Sequence, residues 1–238
     1  MNIVVIISAG AEWRAVKELF PHLELQQTLF GESALLEFST FNFQLIHGGW
    51  GKISAAASAQ FAIDRFHPDL LVNLGTCGGF AGRIELGTVI LVERTLVYDI
   101  IEQMGDSAEA IRHYAVDIDL SWLKDDGARS MENGHAARGL LVSADRDILA
   151  EDIPMLIENY GAVAADWESG AIAWVAKKNR TRLLILRAVS DLVGAQGGEA
   201  YGDLALFHAR TKTVMKNLFE QLPEWLALAE KHSPNEET

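Results

Sequence analysis

The chain has 238 residues, of which 49% are apolar, and its formal net charge at pH 7 is −13. This charge argues against nucleic acid or an anionic membrane surface as a partner, because both attract clustered Lys and Arg. The single cysteine, Cys77, excludes an internal disulfide, and no Cys/His cluster has the spacing of a metal site.

The chain begins with Met1 and reaches its first apolar run at Ile3–Ile7. This run is too short to span a bilayer. It also lacks the basic region and the cleavage site that a secretory signal would carry. We therefore expect a cytoplasmic protein with no membrane partner.

Short apolar runs alternate with longer segments of helical period along the whole chain. Strands are predicted at Ile3–Ser8, Phe43–His47, Leu70–Leu74, Val89–Val92, Gly139–Val142 and Leu183–Leu186. Helices are predicted at Glu12–Phe20, Ile53–Phe66, Ser169–Lys177 and Leu204–Lys231. The alternation predicts an α/β fold, in which helices cover both faces of a central sheet.

The segment Glu32–Gln44 is typical of an antiparallel hairpin, so the predicted sheet is mixed. We expect a three-layer α/β/α sandwich with a twisted central sheet. No linker or repeat interrupts the chain, which predicts one domain over residues 1–231 and a polar tail over residues 232–238.

The glycine cluster Gly75–Gly79 directly follows a predicted strand. Glycines here allow a sharp turn that presents N–H groups to a ligand, or simply a tight structural turn. A dinucleotide site does not fit, because the first strand is not followed by GxGxxG. The segment His47–Ser54 does not form a phosphate loop either, because Ile46 stands where that motif needs its first glycine.

Two further strand ends carry charged residues. Asp166-Trp167-Glu168 opens a helix of small residues, where acids usually complement the helix dipole. That explanation suits Asp166 better than Glu168, whose small neighbours indicate burial. Arg187 and Asp191 follow a very apolar run, and they are either a structural ion pair or part of a site in which an enclosed carboxyl group retains its proton.

Taken together, these segments resemble the nucleoside phosphorylase superfamily, and more closely the 5′-methylthioadenosine/S-adenosylhomocysteine nucleosidases. The resemblance runs in register from Asn2 to about Ala209. It rests on five ordered blocks, which are Ile3–Ala9 with Glu12, Gly49–Lys52, Asn73–Gly79, Asp166–Glu168 with its Ala-rich helix, and Arg187–Asp191.

The resemblance implies roles for the acidic residues in breaking an N-glycosidic bond without a metal or redox cofactor. Asp191, oriented by Ser190, is the implied acid that protonates N7 of a purine. Glu168 is implied to hold the ribose hydroxyls. Glu12 is implied to activate the attacking water.

The remaining implied contacts lie around the sugar and the base. Arg187 corresponds to a residue beside the sugar and the water, and Thr76 replaces a serine that binds the same water. Other implied substrate contacts are Gly78, Asp147, Ile148, Trp167, Trp50 and Tyr201.

Three positions depart from the pattern of the nucleosidases. Asp147 stands where an aromatic residue stacks on adenine, and Trp167 is the residue available to supply a contact instead. Trp50 replaces a smaller aliphatic residue near the 5′ pocket, where Tyr201 corresponds to an aromatic one. The preference for methylthioadenosine or adenosylhomocysteine is therefore an expectation. The alternative for Trp50 and Tyr201 is that they are core residues and do not line a pocket.

Two other activities remain open. Arg14 has the spacing of a phosphate-binding arginine, but Asn73 stands where the phosphorylases place a second one, so we favour hydrolysis over phosphorolysis. A non-catalytic nucleoside-binding protein is the alternative from a different class. The resemblance also implies a homodimer, with Trp50, Tyr98 and Ile100 as candidates for the subunit boundary or as core residues.

Overall fold

The computed structural model describes residues 1–123 and 136–231. The predicted tail, residues 232–238, lies outside the described residues. The strands are β1 (Ile3–Ile7), β2 (Gln26–Gln27), β3 (Glu32–Phe38), β4 (Phe41–His47), β5 (Leu70–Phe80), β6 (Val89–Val97), β7 (Val116–Asp117), β8 (Ala137–Ser143), β9 (Ala162–Asp166), β10 (Leu183–Gly194) and β11 (Gly197–Gly198). The helices are α1 (Gly10–Leu19), α2 (Lys52–Phe66), α3 (Ser107–His113), α4 (Ile153–Tyr160), α5 (Ser169–Asn179) and α6 (Leu204–Lys231), and a 3-10 turn covers Ser121–Leu123.

The strands form one mixed sheet in which β1 is parallel to both β4 and β5. The predicted hairpin is present as the antiparallel pair β3–β4. At the other side, β5 pairs with both β10 and β9, and the chain of pairs β10–β6–β8–β9 closes a ring of strands. This ring brings the ends of several strands around one space.

Successive residues of β1 point to opposite faces of the sheet, and each face is covered by its own helices. Ile3, Val5 and Ile7 pack with α1 and α6 in one core. Val4 and Ile6 pack with α2 and α5 in another. These two cores confirm the predicted arrangement of a central sheet between helical layers.

The prediction of a turn at Gly75–Gly79 is wrong, because these glycines continue β5 and pair with β10. They are needed for close packing. A Cβ on Gly75 would lie 2.6 Å from Glu12 Oε1 and closer still to Arg187 Nη1. A Cβ on Gly79 would lie 2.7 Å from Val189 Cγ1. The glycines therefore let other side chains occupy the space beside the strand.

Helices α3 and α4 were not predicted from the sequence. Each is so short that a helical period hardly repeats within it. Both contribute residues to a third core beside the strand ring, which includes Ile111, Leu156 and Tyr98. Within the described chain, no helix has the length and apolarity needed to cross a membrane.

Candidate active site

A cleft of about 680 Å³ opens where the ends of β1, β8 and β9 meet the C-terminal halves of β5 and β10. Acids, aromatics and small residues line it together. Its lining includes all the predicted site residues except Arg187, namely Glu12, Trp50, Thr76, Gly78, Asp147, Ile148, Trp167, Glu168, Ser190, Asp191 and Tyr201. Residues that are far apart in sequence are therefore brought to one cavity.

Glu12 lies in the first turn of α1, and its carboxylate is held by the backbone on both sides. Oε2 accepts a hydrogen bond from Ala9 N at 3.1 Å. Oε1 accepts from Thr76 N at 2.6 Å and from Thr76 Oγ1 at 2.9 Å. The side chain is 1% exposed, so the carboxylate is fixed at the cleft wall instead of moving in solvent.

Arg187 lies in the floor of the cleft behind its acids and does not line the cavity, and its place beside the sugar stays a prediction. Its side chain is fully buried in β10. It makes ion pairs with three acids, with N–O distances of 3.0 Å to Asp166 Oδ2 and 3.6 Å to both Glu12 Oε1 and Glu168 Oε2. The guanidinium therefore holds acids that line the cleft and does not itself line it.

Burial alone would lower the pKa of Arg187, but the charges of Asp166, Glu12 and Glu168 raise it. Its remaining donors are satisfied by neutral groups. Nη2 donates to Asn73 Oδ1 at 2.8 Å, and Nε donates to Ser169 Oγ at 2.9 Å. Such complete pairing is what a buried charge requires.

Asp166 is the main residue of this network that the sequence reasoning did not assign to the site. Its carboxylate does accept from Ser169 N, as a cap would, at 3.1 Å. It also accepts from Ser143 Oγ at 2.6 Å and pairs with Arg187. The available signal was its position at the end of an apolar run, directly beside Glu168.

Glu168 connects the floor to the loop after β4, because its Oε1 accepts from Gly51 N at 3.1 Å. Burial raises the pKa of Glu168 above its ordinary value. The charge of Arg187 opposes this rise, whereas Asp166 and Glu12 add to it. Glu168 thus exchanges its proton at a higher pH than an exposed carboxyl group does.

Asp191 and Ser190 lie side by side on β10, where Ser190 Oγ donates to Asp191 Oδ1 at 3.0 Å. Burial raises the pKa of Asp191. The Ser190 hydrogen bond and the charge of Arg210 oppose the rise, and Glu199 and Asp147 add to it. The alternative that Asp191 pairs with Arg187 does not hold, because the acids paired with Arg187 are Glu12, Asp166 and Glu168.

The outer wall of the cleft is aromatic and more exposed. The rings of Trp50 and Trp167 lie 5.3 Å apart, and Trp50 is 64% exposed. The Tyr201 hydroxyl donates to the Ile148 carbonyl at 3.0 Å, which fastens the loop after β8, and Asp147 is exposed beside it. Trp50 and Tyr201 are thus not core residues, whereas Tyr98 is buried in the third core.

Several lining residues were not assigned to the site from the sequence. They are Ala9, Cys77, Arg146, Val193, Phe207 and His208, among others. Phe207 and His208 lie near the start of the predicted helix α6, and their ring character was the available signal. Among the described residues, no group of His, Cys, Asp and Glu is placed to hold a metal ion.

Among the described residues, the cations expected for phosphate binding do not gather in the cleft. Arg14 does not line it, and its Nη1 lies 3.5 Å from His208 Nδ1. Asn73 is fully buried and binds Arg187. Arg146 does line the cleft, but its Nη2 donates to Asp152 Oδ2 at 2.5 Å.

A mixed sheet between helical layers, with acids from separate helices and strands in one cleft, defines an α/β fold of the phosphorylase type. The chain belongs to the phosphorylase superfamily, because the model of that family matches residues 2–223. This match confirms the family that the sequence blocks indicated.

The relatives of this chain include named nucleosidases. It is 24% identical over 226 residues to a 5′-methylthioadenosine/S-adenosylhomocysteine nucleosidase of Marinomonas sp., covering 90% of this chain and 96% of the relative. A nucleosidase of the same name from Anoxybacillus flavithermus is 25% identical over 173 residues, covering 67% and 72%. The crystal structure of the Helicobacter pylori nucleosidase of that name has a TM-score of 0.78 at 16% identity, covering 94% of this chain and 98% of that one.

Proposed function

We propose that this chain is a purine nucleosidase. It hydrolyses the N-glycosidic bond of a 5′-substituted adenosine, of the methylthioadenosine or adenosylhomocysteine type, to the free base and a ribose derivative. The observation that carries the proposal is that Glu12, Glu168 and Asp191 line one cleft while each has a different environment. The names of the sequence relatives support the same reaction.

In the proposed step, Glu12 accepts a proton from water as the water oxygen bonds to C1′. The C1′–N9 bond breaks, and its electron pair passes to the base. Asp191 donates its proton to N7, so the base leaves as a neutral molecule. General acid catalysis of this kind is typically worth about 10²–10⁴-fold in rate.

The local environments suit these separate tasks. The raised pKa of Asp191 keeps its proton available at a higher pH than usual for a carboxyl group. The hydrogen bonds from Ala9 and Thr76 fix Glu12 in one orientation, which a water base requires. Glu168 is assigned the ribose hydroxyls. Burial raises its pKa to about 8, and its ionised form favours the positive charge that develops on the sugar.

Water is the favoured nucleophile because the cleft offers little for phosphate. Phosphate binding relies on Arg or Lys donors that face the ligand. Arg187 is buried and committed to three acids, and Arg146 is paired with Asp152. A phosphate ion would also meet the carboxylates of Glu12, Glu168 and Asp191.

The finer assignments are a homodimer that acts in the cytoplasm, in methionine salvage. The dimer is supported by apolar side chains exposed on two adjoining segments. In the first segment, Trp50 is 64% and Ile53 85% exposed. In the second, Ile101 is 73% and Met104 97% exposed. Sedimentation equilibrium would test it, with twice the mass of the chain as the expected result.

A nucleoside panel tests the activity. The purified protein is incubated with methylthioadenosine, adenosylhomocysteine, adenosine and inosine, with and without inorganic phosphate, and the free base is measured by chromatography. We expect base release that does not depend on phosphate and is fastest for a 5′-thio-substituted adenosine. Binding without base release would favour the non-catalytic alternative.

The Glu12→Gln variant separates the two nucleophiles in the same assay. We expect it to lose phosphate-independent release, because glutamine does not accept a proton from water. Base release that requires phosphate, with formation of a ribose 1-phosphate, would instead identify a phosphorylase.

A further inference from the structure

Three loops that follow β4, β6 and β8 meet at the side chain of Lys52. Its ammonium group donates to both carboxylate oxygens of Asp99 and lies 3.6 Å from Asp145 Oδ2. Asp145 N donates to Asp99 Oδ2 at 2.9 Å, and Lys52 N donates to Asp145 Oδ1 at 2.7 Å. These contacts form a closed set, which we call the Lys52 cluster (Lys52, Asp99 and Asp145).

The Lys52 cluster does not line the cleft, but the loops after β4 and β8 carry residues that do. Trp50 lies two residues before Lys52 and contacts the Trp167 ring. Arg146, Asp147 and Ile148, which line the cleft, follow Asp145 directly. The cluster therefore links the aromatic wall of the cleft to the loop assigned to the base.

The most direct link from the cluster to the acids is Gly51. Its N–H donates to Glu168 Oε1 at 3.1 Å, while the next N–H, of Lys52, donates to Asp145. Gly51 has φ +84°, and an added Cβ would lie 3.2 Å from Asp145 Oδ1. The backbone thus takes a conformation that favours glycine, with two successive N–H groups donating to separate carboxylates.

The charges of the cluster explain why a lysine occupies this position. The side chain of Lys52 is 21% exposed, that of Asp99 16% and that of Asp145 39%, so a half-buried and an exposed carboxylate approach each other. An ammonium group is a compact charge with three donors on a flexible stem, which lets it serve both carboxylates. Without it, Asp99 and Asp145 would repel each other and the loops would separate.

We propose that Lys52 is a positioning residue. It holds Gly51 against Glu168 and fixes the position of the loop assigned to the base relative to the side of the cleft assigned to the sugar. The inference rests on the proposed function, because it names the role of Lys52 in nucleoside binding and turnover. It assigns no contact with the substrate to Lys52 itself. Its effect passes through Glu168, Trp50 and the loop after β8.

The Lys52→Met variant tests this role, because it keeps most of the length of the side chain and removes the charge. Misplacement of binding groups by about 1 Å can cost about 100-fold, and we expect kcat/KM to fall by about 10- to 100-fold. The loss should appear mainly in KM, because Glu168 and the aromatic wall are assigned to binding the substrate before the chemical step. The dissociation constant of a C-nucleoside analogue, which cannot be hydrolysed, should rise by the same factor.

The pH profile gives a readout that general destabilisation would not move. Glu168 faces Arg187, Asp166 and Glu12 and is also held by the Gly51 N–H, which lowers its pKa. If Lys52→Met withdraws that N–H, the pKa of Glu168 rises further. Because the ionised carboxylate is assigned to the ribose, the acidic limb of kcat/KM should move to higher pH.

Two further variants keep the inference open to refutation. Lys216→Met is the matched control, because Lys216 is 63% exposed in a surface pair with Glu220, and it should behave like wild type. Asp145→Asn keeps the acceptor for Lys52 N and removes the charge, so it tests the cluster even if Lys52→Met does not fold. Its effect and that of Lys52→Met should be less than additive, because both disrupt the same contacts.

The inference would be overturned if folded Lys52→Met left both KM and the dissociation constant of the analogue unchanged. If Lys52→Met does not fold, the same result for Asp145→Asn would overturn it. The analogue measurement does not need turnover. A wild-type protein that binds the analogue and releases no base would therefore refute the proposed nucleosidase while still testing Lys52.

Discussion

The floor and the outer wall of the cleft are built in different ways. In the floor, Glu12, Asp166 and Glu168 surround Arg187, and none of the four side chains is more than 6% exposed. In the outer wall, Trp50 is 64% and Tyr201 44% exposed. The floor is fixed by many mutual contacts, whereas the wall has few. Changes in the floor should therefore affect folding and catalysis together, and changes in the wall should affect the choice of substrate.

Asp191→Asn is expected to have the largest effect on the rate. Asparagine keeps the shape and an acceptor for Ser190 Oγ, but its amide is not acidic enough to protonate the base. We expect kcat to fall by about 10²–10⁴-fold with little change in melting temperature. Purified variant and wild type are compared by base release and by thermal unfolding, with Asp64→Asn on α2 as the control. Wild-type turnover by Asp191→Asn would remove Asp191 from the proposed mechanism.

Arg187→Met should disrupt the ion pairs of the floor, and its main effect should be a lower free energy of unfolding. It leaves three buried carboxylates without their cation, and loss of one partner of a buried pair costs about 3–5 kcal/mol. The free energy of unfolding is measured by urea denaturation. Arg112→Met removes a cation from a surface pair with Asp106, at 63% and 60% exposed, and should change it little. Equal stability of Arg187→Met and wild type would show that the floor does not depend on its central charge.

Most of the fold and the acids of the site could be predicted from the sequence. Period and apolarity located the long helices and the buried strands, because these features are local. The five blocks then identified Glu12, Glu168 and Asp191 through a resemblance. The secondary structure of Gly75–Gly79 could not be predicted correctly, because glycine is found both in turns and in strands that pack against a bulky neighbour. Here the neighbours are Arg187 and Glu12, which are distant in sequence.

The role of Asp166 and the burial of Arg187 could not be predicted either, because both depend on neighbours that are distant in sequence. An acid at the start of a helix is typical of a cap, and Asp166 does bind Ser169 N. Its pairing with Arg187 depends on β9 and β10 lying on opposite sides of β5, a consequence of the strand ring. Sequence reasoning works residue by residue, whereas a buried charge network depends on the whole set.

Ser190→Ala should move the pH dependence without removing the acid. The Ser190 hydrogen bond stabilises the ionised form of Asp191 and so lowers its pKa. Without that bond the pKa of Asp191 rises. Because the protonated form is the active one, activity is lost as pH increases through this pKa, and the alkaline limb of kcat/KM should move to higher pH. Profiles of wild type and Ser190→Ala measure this, and a limb that moves to lower pH would contradict the assigned role of Asp191.

Asp147→Phe tests the wall and should have the smallest effect. An aromatic ring at this position would supply the stacking surface for the base that the resemblance leads us to expect there, and aromatic contacts of this kind are worth about 0.5–1.5 kcal/mol. We expect KM for a 5′-thio-substituted adenosine to fall by about 2- to 10-fold, with unchanged stability.

Asp147→Asn is the matched control, because it removes the charge without adding a ring. The charge of Asp147 raises the pKa of Asp191, so both variants should move the alkaline limb to lower pH, and only Asp147→Phe should lower KM. If Asp147→Asn lowers KM equally, the carboxylate repels the substrate and stacking is not what this wall lacks. If neither variant changes KM, the base does not contact this part of the wall.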